Sequence, residues 1–553
     1  MSLSLAVSNR GYFRTLLLLG LAFSAPCWAQ APPPALAPLG NPPIPSGNPQ
    51  TEAKIALGQI LFWEEQLSRT GTVACGTCHA PEAGGADLRS LGSLVGSQHP
   101  GPDGQIATAD DRIGAAGVPR HDSEGRYIHA GVFGMSPQVG TRQPISAINS
   151  GFPTRLFWDG RAQGAFNDPD SGQTLIAAGG VLEIQALGPL VNDVEMAHVG
   201  GDLGDIQNRL IDARPLALAA AVPPALVEFI DGRDYPTLFD AVFGAGGINA
   251  SRIALALASY QRTLVANRTP LDLELSGTPS LTPLERQGRQ VFQQAGCLRC
   301  HGGPLMSDNN FHYIGARAVG EDLGRMAVTG LAADRGRMRT PGLRNLSLSA
   351  PYMSDGRLPD LRAVVELYNR GGDFTAPNKA PEITPLNLSS TDIDALVAFL
   401  GRPLTDPRVA AANGPFERPL LYSESDRVPQ MQDLAGRDPG LQLIALEPPR
   451  AGRPDFTVAL QGAPGFAQVE FLLSTEVIDD VLDGALERLG VIASAQGSAA
   501  VELPLPVSGD LLYVRAFVRD AGAASGWRAS DAVRLRLLDA VAEPPLFASG
   551  FEP

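Results

Sequence analysis

The sequence predicts a mainly α-helical protein in which two similar helical domains precede a small all-β sandwich. Apolar residues recur at helical spacing over much of the chain up to about residue 400. The pattern Cys-x-x-Cys-His occurs twice within that part. From residue 441 onward the pattern changes to the alternation of apolar and polar residues that is typical of strands. A chain of 553 residues is also long enough for several domains rather than one.

The N-terminal segment, residues 1–29, has the composition of a secretory signal. Arg10 and Arg14 precede an apolar run, and Cys27 and Ala29 provide small residues at a cleavage site after Ala29. No later segment has the run of about 18 apolar residues that a membrane span requires. We therefore expect an exported, periplasmic bacterial protein that does not span the membrane.

The charge of the chain argues against two classes of partner. The chain has 43 Lys and Arg against 58 Asp and Glu, and its net charge is −15. Loss of the signal removes Arg10 and Arg14 but no acidic residue, which makes the mature protein more acidic still. Nucleic acids and anionic membranes are therefore not expected as partners, and a small cationic redox protein is favoured.

Each Cys-x-x-Cys-His sequence is the attachment pattern of a c-type haem. Two thiols add to the vinyl groups of the haem, and the adjacent imidazole ligates the iron from one face. A zinc site would instead require four ligands from paired knuckles. Two covalently bound haem c groups are therefore predicted, and they use every cysteine beyond the signal. The six residues are Cys75, Cys78, His79, Cys297, Cys300 and His301.

The sequence divides into segments with different patterns. Helices are predicted within residues 53–67, 251–265, 284–295 and 390–400, the last with Ser390 or Thr391 as its N-cap. Strands are predicted at residues 456–460, 468–473, 501–507, 511–518 and 532–538. The predicted boundaries are 1–29 signal, 30–50 Pro-rich leader, 51–275 first haem domain, 276–410 second haem domain, 411–440 linker, 441–541 β-sandwich and 542–553 tail.

Several further motifs, in a specific order over residues 52–404, make the chain resemble the bacterial di-haem cytochrome c peroxidase family, which includes the MauG-type enzymes. The C-terminal strands resemble a fibronectin type III module, which would serve in docking or spacing. The motifs are Leu-Gly-Gln-Ile-Leu-Phe at 57–62, Phe-Trp-Asp-Gly-Arg-Ala at 157–162, Gln-Ala-Leu-Gly-Pro at 185–189, Arg-Thr-Pro-Gly-Leu-Arg-Asn at 339–345, Ala-Pro-Tyr-Met-Ser-Asp-Gly at 350–356, and Tyr-Asn-Arg-Gly-Gly at 368–372.

The resemblance implies two cytochrome c-like haem domains with the active site at the N-terminal haem and electron entry at the second. It makes His79 and His301 the proximal ligands. Gln185 and Glu195 match the pair on the open side of the peroxidatic haem. A carboxylate there can take a proton from one peroxide oxygen and return it to the other. A solvated surface charge is the alternative for Glu195.

The resemblance also assigns residues between and beyond the haems. Trp158 matches the aromatic residue between them, although it could equally be a core aromatic, and Arg339 matches an arginine that pairs with a haem propionate. Tyr368 falls at the sixth ligand of the second haem, where MauG-type enzymes carry Tyr and reductively activated peroxidases carry Met. A phenolate stabilises ferric and higher states, whereas Met favours ferrous iron. Met353 is the rival ligand.

Two regions depart from the family pattern. Ser349 and Pro351 fall where the family offers backbone carbonyls to calcium, but Arg142 and Gln143 stand where it has Asn, so a calcium ion is left open. The polar, Gly-rich stretch at 80–140 is long, and such a loop is either functional or disordered. The loop contains three histidines that are either solvated or a removable ligand of the first haem: His99, His121 and His129.

Three functions follow as hypotheses. The first is a periplasmic peroxidase that reduces hydrogen peroxide to water with electrons from a small cytochrome c or cupredoxin. The second is a MauG-like or di-haem oxygenase-like enzyme that oxidises a protein or organic substrate, which Tyr368 and the appended domain favour. The third is a non-enzymatic electron carrier, which would not need Gln185 and Glu195 in an open pocket.

Overall fold

The structure is a computed structural model that describes residues 33–91, 96–432, 437–450, 456–475, 486–506, 511–523, 525 and 527–538. The predicted signal and the predicted C-terminal tail lie outside the described residues.

The first module is built around two helices that cross at a glycine. A side chain at Gly58 of α1 would lie 2.0 Å from the carbonyl oxygen of Ala256 on α7, so only glycine permits this approach. Thr51 caps α1 by accepting the N–H of Lys54. The helices are α1 Glu52–Phe62, α2 Cys75–Cys78, α3 Val181–Leu187, α4 Leu203–Asp212, α5 Pro224–Ile230, α6 Tyr235–Phe243 and α7 Ala250–Gln261. Short strands in the connections are β1 Gln98–His99, β2 Arg112–Ile113, β3 Arg155–Leu156, β4 Ala162–Gln163, β5 Phe166–Asn167 and β6 Thr174–Ile176.

The second module repeats this arrangement. Gly288 of α9 approaches α13 so closely that a side chain would lie 1.9 Å from the carbonyl oxygen of Ala395. Leu271 of α8 is buried in the core of this module, which therefore begins a few residues before position 276. Its helices are α8 Pro270–Leu275, α9 Pro283–Gln294, α10 Leu298–His301, α11 Met326–Thr329, α12 Leu361–Asn369 and α13 Ser390–Leu400, and its short strands are β7 Phe311–His312 and β8 Met338–Arg339. The helix that follows, α14 Pro407–Ala410, buries Val409 in the core of the first module.

The leader and the linker both pack on the helical modules. In the described part of the leader, the amide of Asn48 is buried and donates to Glu183 Oε1 at 2.8 Å. In the linker, Phe416 and Leu421 are fully buried in the core of the first module. Both segments contribute buried side chains rather than acting as free spacers, because each carries apolar or amide groups that find partners far away in sequence.

The C-terminal region is a two-sheet antiparallel sandwich. One sheet has the order β10-β11-β14 and the other β13-β12-β15-β16-β9, and apolar side chains of both sheets form one core. The edge strand β9 comes from the predicted linker and pairs with β16. The strands are β9 Gln430–Gln432, β10 Gln442–Ala445, β11 Phe456–Gln461, β12 Gln468–Ser474, β13 Glu487–Ile492, β14 Ala499–Leu503, β15 Leu511–Arg519 and β16 Trp527–Arg536.

The structure confirms the helical part followed by a β-rich C-terminal region and corrects several details. The helix predicted to start at Ser390 has Ser389 as its N-cap, which accepts the N–H of Asp392. The helix predicted at 251–265 ends at Gln261. Strands β9, β10 and β13 were not predicted. Within the described ranges, none of the helices has the length and apolar character that a bilayer crossing demands.

Candidate functional site

The first Cys-x-x-Cys-His sequence forms one short helix, α2, packed on an aromatic cluster. A side chain at Gly76 would lie 2.2 Å from ring carbons of Trp63, so the glycine lets the helix rest on the indole. His79, which directly follows α2, hydrogen-bonds the carbonyl oxygen of Gly85 through Nδ1 at 3.1 Å. A proton held on Nδ1 leaves Nε2 available for a metal, which is the arrangement that metal-ligating histidines require.

The second sequence repeats this hydrogen bond. His301 Nδ1 lies 2.9 Å from the carbonyl oxygen of Met306, so Nε2 is again the available nitrogen. Cys297, Cys300 and His301 line a cavity of about 350 Å³, which falls in the size range of ligand and cofactor sites. Cys297, Cys300 and the two cysteines of the first site are free thiols. The residues of both sites therefore fit covalently attached haem.

Glu195 lies beside the first attachment site. Its carboxylate is half-buried and accepts a hydrogen bond from Asn192 Nδ2 at 3.1 Å. Burial raises its pKa, and the charge of Arg161 lowers it by less. Burial also raises the pKa of both thiols, Cys75 and Cys78, to about 12, with a further contribution from the negative charge of Glu195. That electrostatic coupling indicates that the carboxyl group is close to the haem-attachment thiols.

Gln185 lies on α3, half-buried, ten residues before Glu195. The short 3-10 helix Pro189–Val191 follows α3 directly and leads into Asn192, which binds Glu195. Asn192 therefore lies between the two residues, and its side-chain amide both accepts the backbone N–H of Glu195 at 3.2 Å and donates to the carboxyl group.

Trp158 and Arg339 lie side by side on the wall of the cavity. The indole Nε1 of Trp158 donates to the carbonyl oxygen of Gln143 at 2.8 Å, and the Trp158 carbonyl accepts the backbone N–H of Arg339 at 2.7 Å. The Arg339 guanidinium donates to Asn309 Oδ1 at 3.0 Å and to the carbonyl oxygen of Phe157 at 3.3 Å. Burial lowers the pKa of Arg339 to about 10.

The environment of Arg339 matters because a buried cation is costly without an anion. In the described ranges, no carboxylate lies within ion-pair distance of Arg339. Arg344 lines the same cavity and shows the contrast, since it is paired with Asp272 at 2.7 Å. Arg339 therefore fits a place opposite a negative group brought by the cofactor, such as a haem propionate.

Both candidate ligands of the second haem line its cavity. Tyr368 lies near the end of α12, and burial, followed by the charges of Cys297 and Cys300, raises the pKa of its phenol well above the usual range. This coupling indicates that the phenol is close to the attachment thiols. Met353 lines the same cavity with its backbone in the left-handed region, at φ 74°. The structure thus brings both residues to the site.

The surroundings of the expected calcium position carry a cation of the protein itself. Ser349 and Pro351 line the cavity. Arg142, one of the two residues at the position of the family's side-chain ligand, pairs with Asp159 and with Asp322, each at 2.7 Å. A guanidinium offers no lone pair to a metal ion, so this side chain contributes no ligand to a calcium ion.

The long loop is folded rather than extended. The His121 ring is fully buried and lies 4.1 Å from the Tyr127 ring, measured between centroids. Burial, and next the charge of Arg69, lower the pKa of His121 to about 4. The Nδ1 of His99 accepts the N–H of Gly101 at 3.2 Å, and His129 is half-buried.

Sequence reasoning missed four side chains, in two charged pairs, at the attachment sites. Arg89 approaches Cys78 Sγ at 3.4 Å and pairs with Asp87 at 2.7 Å. At the second site, His312 Nε2 lies 2.9 Å from Asp308 Oδ2 and 3.8 Å from Cys300 Sγ. The Asp308 hydrogen bond, and then that of Cys300, raise the pKa of His312 to about 10. The sequence signal that could have indicated these side chains was their closeness along the chain, since each charged pair follows its Cys-x-x-Cys-His within about a dozen residues.

Comparisons with known proteins point to one family. A family model described as di-haem cytochrome c peroxidase matches residues 52–280. The methylamine utilization protein MauG of Methylorubrum extorquens is 33% identical over 363 residues, which cover 65% of this chain and 80% of MauG. The cytochrome-c peroxidase IdrP1 of Denitromonas iodatirespirans is 29% identical over 440 residues, 72% of this chain and 96% of IdrP1. The cytochrome c peroxidase Ccp of Escherichia coli is 29% identical over 366 residues, 65% of this chain and 59% of Ccp.

The match to MauG, 33% identical over 80% of that protein, together with the family model over residues 52–280, shows that the chain belongs to the di-haem cytochrome c peroxidase family.

Proposed function

We propose that the protein is a periplasmic di-haem peroxidase that reduces hydrogen peroxide to water with electrons from a small cytochrome c or cupredoxin. The observation that carries this proposal is the Glu195 carboxyl group beside the first attachment site. Its pKa is raised by burial, so it exchanges protons closer to neutral pH than a solvated glutamate does. An electron carrier without catalytic function would have no use for such a group.

Reduction of hydrogen peroxide to two water molecules consumes two electrons and two protons. When bound, the two haems supply the iron that takes up peroxide and the electrons that cleave it. Glu195 would take a proton from one peroxide oxygen and return it to the other, which leaves as water. Asn192 holds the carboxyl group by its 3.1 Å hydrogen bond, and Gln185 orients the peroxide from α3.

Trp158 and Arg339 serve electron passage between the two sites in this proposal. Two hydrogen bonds lock Trp158 in place, one from its own Nε1 and one to its carbonyl oxygen. A rigid, oxidisable indole at the cavity wall can pass an electron with little rearrangement. Arg339 would neutralise a haem propionate. Its backbone N–H also donates to the carbonyl oxygen of Trp158 and so fixes the position of that residue.

A second function is favoured by Tyr368. A MauG-like enzyme would direct the oxidising equivalents of peroxide onto a protein or organic substrate. A phenolate ligand at the second haem would help to store such an equivalent. Tyr368 lies in the cavity beside Cys297 and Cys300, as this function requires.

The test of the first function is the variant Glu195→Gln, which keeps the shape but cannot take up a proton. Peroxide reduction should slow by roughly a hundredfold to ten-thousandfold, while a pyridine haemochrome assay still finds two haems. The matched control is Glu124→Gln, because the side chain of Glu124 is 63% exposed on the long loop. Unchanged turnover in Glu195→Gln would return Glu195 to the role of an ordinary partly buried charge.

A further inference from the structure

The long loop after His79 folds back onto the segment that carries Glu195. Residues 114–118 pair with residues 138–140: the N–H of Gly117 donates to Gln138 O at 2.9 Å, and the N–H of Gly140 donates to Ala115 O at 3.1 Å. The N–H of Val118 then donates to Val194 O at 3.1 Å. The loop therefore extends a ladder of backbone hydrogen bonds up to the residue before Glu195.

Gly117 makes the closest approach in this ladder. A side chain there would lie 1.9 Å from Val194 O and 2.7 Å from the Cα of Glu195. Contacts this short involve backbone atoms that cannot turn aside, so a side chain at position 117 must push the loop and the Glu195 segment apart. Gly140 lies in the same ladder, but a side chain there would meet nothing closer than 3.9 Å.

Gln138 ties the same two segments with its side chain. Its Nε2 donates to the carbonyl oxygen of Asp193 at 2.9 Å, and the residue is 7% exposed. Backbone and side-chain contacts of the loop thus reach both residues that precede Glu195, Asp193 and Val194. With Asn192 on the carboxyl group itself, the turn at 192–195 is held from two directions.

The far end of the loop is attached to the β-sandwich. Gln461 Oε1, at the end of β11, accepts the N–H of Met135 at 3.1 Å. Met135 is buried against Leu446 and Ala459 of the sandwich. The phenol of Tyr127 donates to Glu447 Oε1 at 3.1 Å. The contact combines apolar burial with hydrogen bonds, so it is a packed interface between the loop and the β-sandwich.

We propose that the loop, through Gly117 and Gln138, positions the Glu195 carboxyl group in the peroxide site and that the C-terminal β-sandwich supports this loop. The inference rests on the proposed function of Glu195. It makes Gly117 and Gln138 positioning residues, and it gives the appended domain a part in the reaction of the first haem. A misplacement of about 1 Å in a catalytic group can cost about a hundredfold in rate.

The experiment compares Gly117→Ala with Gly140→Ala in the holoprotein. Stopped-flow mixing with hydrogen peroxide should show a rate about a hundredfold lower in Gly117→Ala and within about twofold of wild type in Gly140→Ala, where the contacts are ordinary. Both variants should retain two haems by pyridine haemochrome. Equal rates in the two variants would overturn the proposal.

The double variant Gly117→Ala with Glu195→Gln distinguishes positioning from general damage. If Gly117 acts through Glu195, the double variant is no slower than Glu195→Gln alone, because the same contribution cannot be lost twice. Rate losses that multiply would overturn the inference while leaving the role of Glu195 intact. If Glu195→Gln alone has no effect, the proposed function fails instead, so the two failures are distinguishable.

Two further variants keep the test open if Gly117→Ala does not load haem. Gln138→Ala removes the bond to Asp193 and should slow the peroxide reaction, again without further loss in the Glu195→Gln background. Gln461→Ala removes the support of Met135 and should slow it by a few-fold. Gln468→Ala is the matched control, since that side chain contacts Glu470 and Arg519 within the sandwich. Equal rates for Gln461→Ala and Gln468→Ala would exclude the role of the sandwich.

Discussion

The two haem-attachment sites share one proximal arrangement and differ in the side chains that face them. In each, Nδ1 of the ligating histidine bonds a backbone carbonyl oxygen, at 3.1 Å for His79 and 2.9 Å for His301. Beside the first site lies the carboxyl group of Glu195, and beside the second lies the phenol of Tyr368. The same five-residue pattern therefore lies in two different surroundings, an acidic one at the first site and a phenolic one at the second.

The pKa values of buried carboxyl groups also differ between the two modules. Glu64 and Glu65 are buried in the first module, and burial raises the pKa of both, that of Glu65 to about 7. In the second module Arg344 pairs with Asp272 and Arg402 with Glu285. Burial opposes ionisation of Asp272 and Glu285 too, but the arginine partners outweigh it, so the pKa of each is lowered. Glu65 of the first module thus has a pKa near neutral pH, whereas Asp272 and Glu285 of the second module are held ionised.

The largest effect is expected from removing one attachment site at a time. The double variants Cys75→Ala/Cys78→Ala and Cys297→Ala/Cys300→Ala should each lose one of two haems, measured by pyridine haemochrome. Only the first should abolish the optical change on adding peroxide, because Glu195 faces that site. One haem in the wild-type chain would contradict the prediction, as would loss of peroxide binding in the second variant alone.

A large effect on the second site is expected from Tyr368→Met. Replacing an anionic ligand by a thioether should raise the midpoint potential of one haem on the order of 0.2 V, a fraction of the about 0.8 V range that axial ligands span. The wild-type ferric protein should react directly with one equivalent of peroxide, and the variant should need prior reduction by one electron.

The control for Tyr368→Met is Tyr352→Phe, which removes another phenol from the same cavity. That phenol donates to Leu346 O at 2.7 Å and has a protein partner, so the potentials should be unchanged. A ferric wild type that shows no spectral change within seconds of adding peroxide, but reacts after one-electron reduction, would refute ligation by Tyr368.

The smallest effect is expected on stability, where Glu65 and Glu285 should respond to pH with opposite signs. The pKa of Glu65 is raised from 4.5 to about 7, so across that window the folded protein binds more protons than the unfolded chain. The free energy of unfolding should therefore fall as pH rises from 4.5 to 7, by up to about 1.4 kcal/mol per pH unit. Glu65→Gln should flatten this slope and raise the urea midpoint at neutral pH.

Glu285→Gln is the matched change in the second module. The pKa of Glu285 is lowered, so its ionised form contributes stability above the unfolded pKa that is lost as pH falls through the folded one. This variant should lower the urea midpoint at neutral pH, when Arg402 loses its partner. Equal urea midpoints for the two variants at neutral pH would show that pairing with arginine does not change how a buried carboxyl group affects stability.

Elements that depend on neighbouring residues were predicted from the sequence, and elements that depend on residues far apart in the chain were not. The helix at 390–400 was predicted with its observed C-terminal end and with its N-cap one or two residues late, because its periodicity and its Gly401 stop are local. Strand β13 was missed because it lies at the edge of its sheet and its residues are mostly exposed, so it lacks the alternation that marks a half-buried strand. Strand β9 was missed because its pairing with β16 joins residues about a hundred positions apart.

The candidate site divides in the same way. The two attachment sites are readable from the sequence, because both thiols and the imidazole must come from one turn of backbone, and the family motifs single out Glu195 and Tyr368. The structure was needed to place Gly117 against Glu195, to pair Arg344 with Asp272 and to surround Arg339 with neutral groups. The Arg344–Asp272 pair joins residues 72 positions apart, and no local pattern specifies which distant groups will meet once burial has fixed the packing.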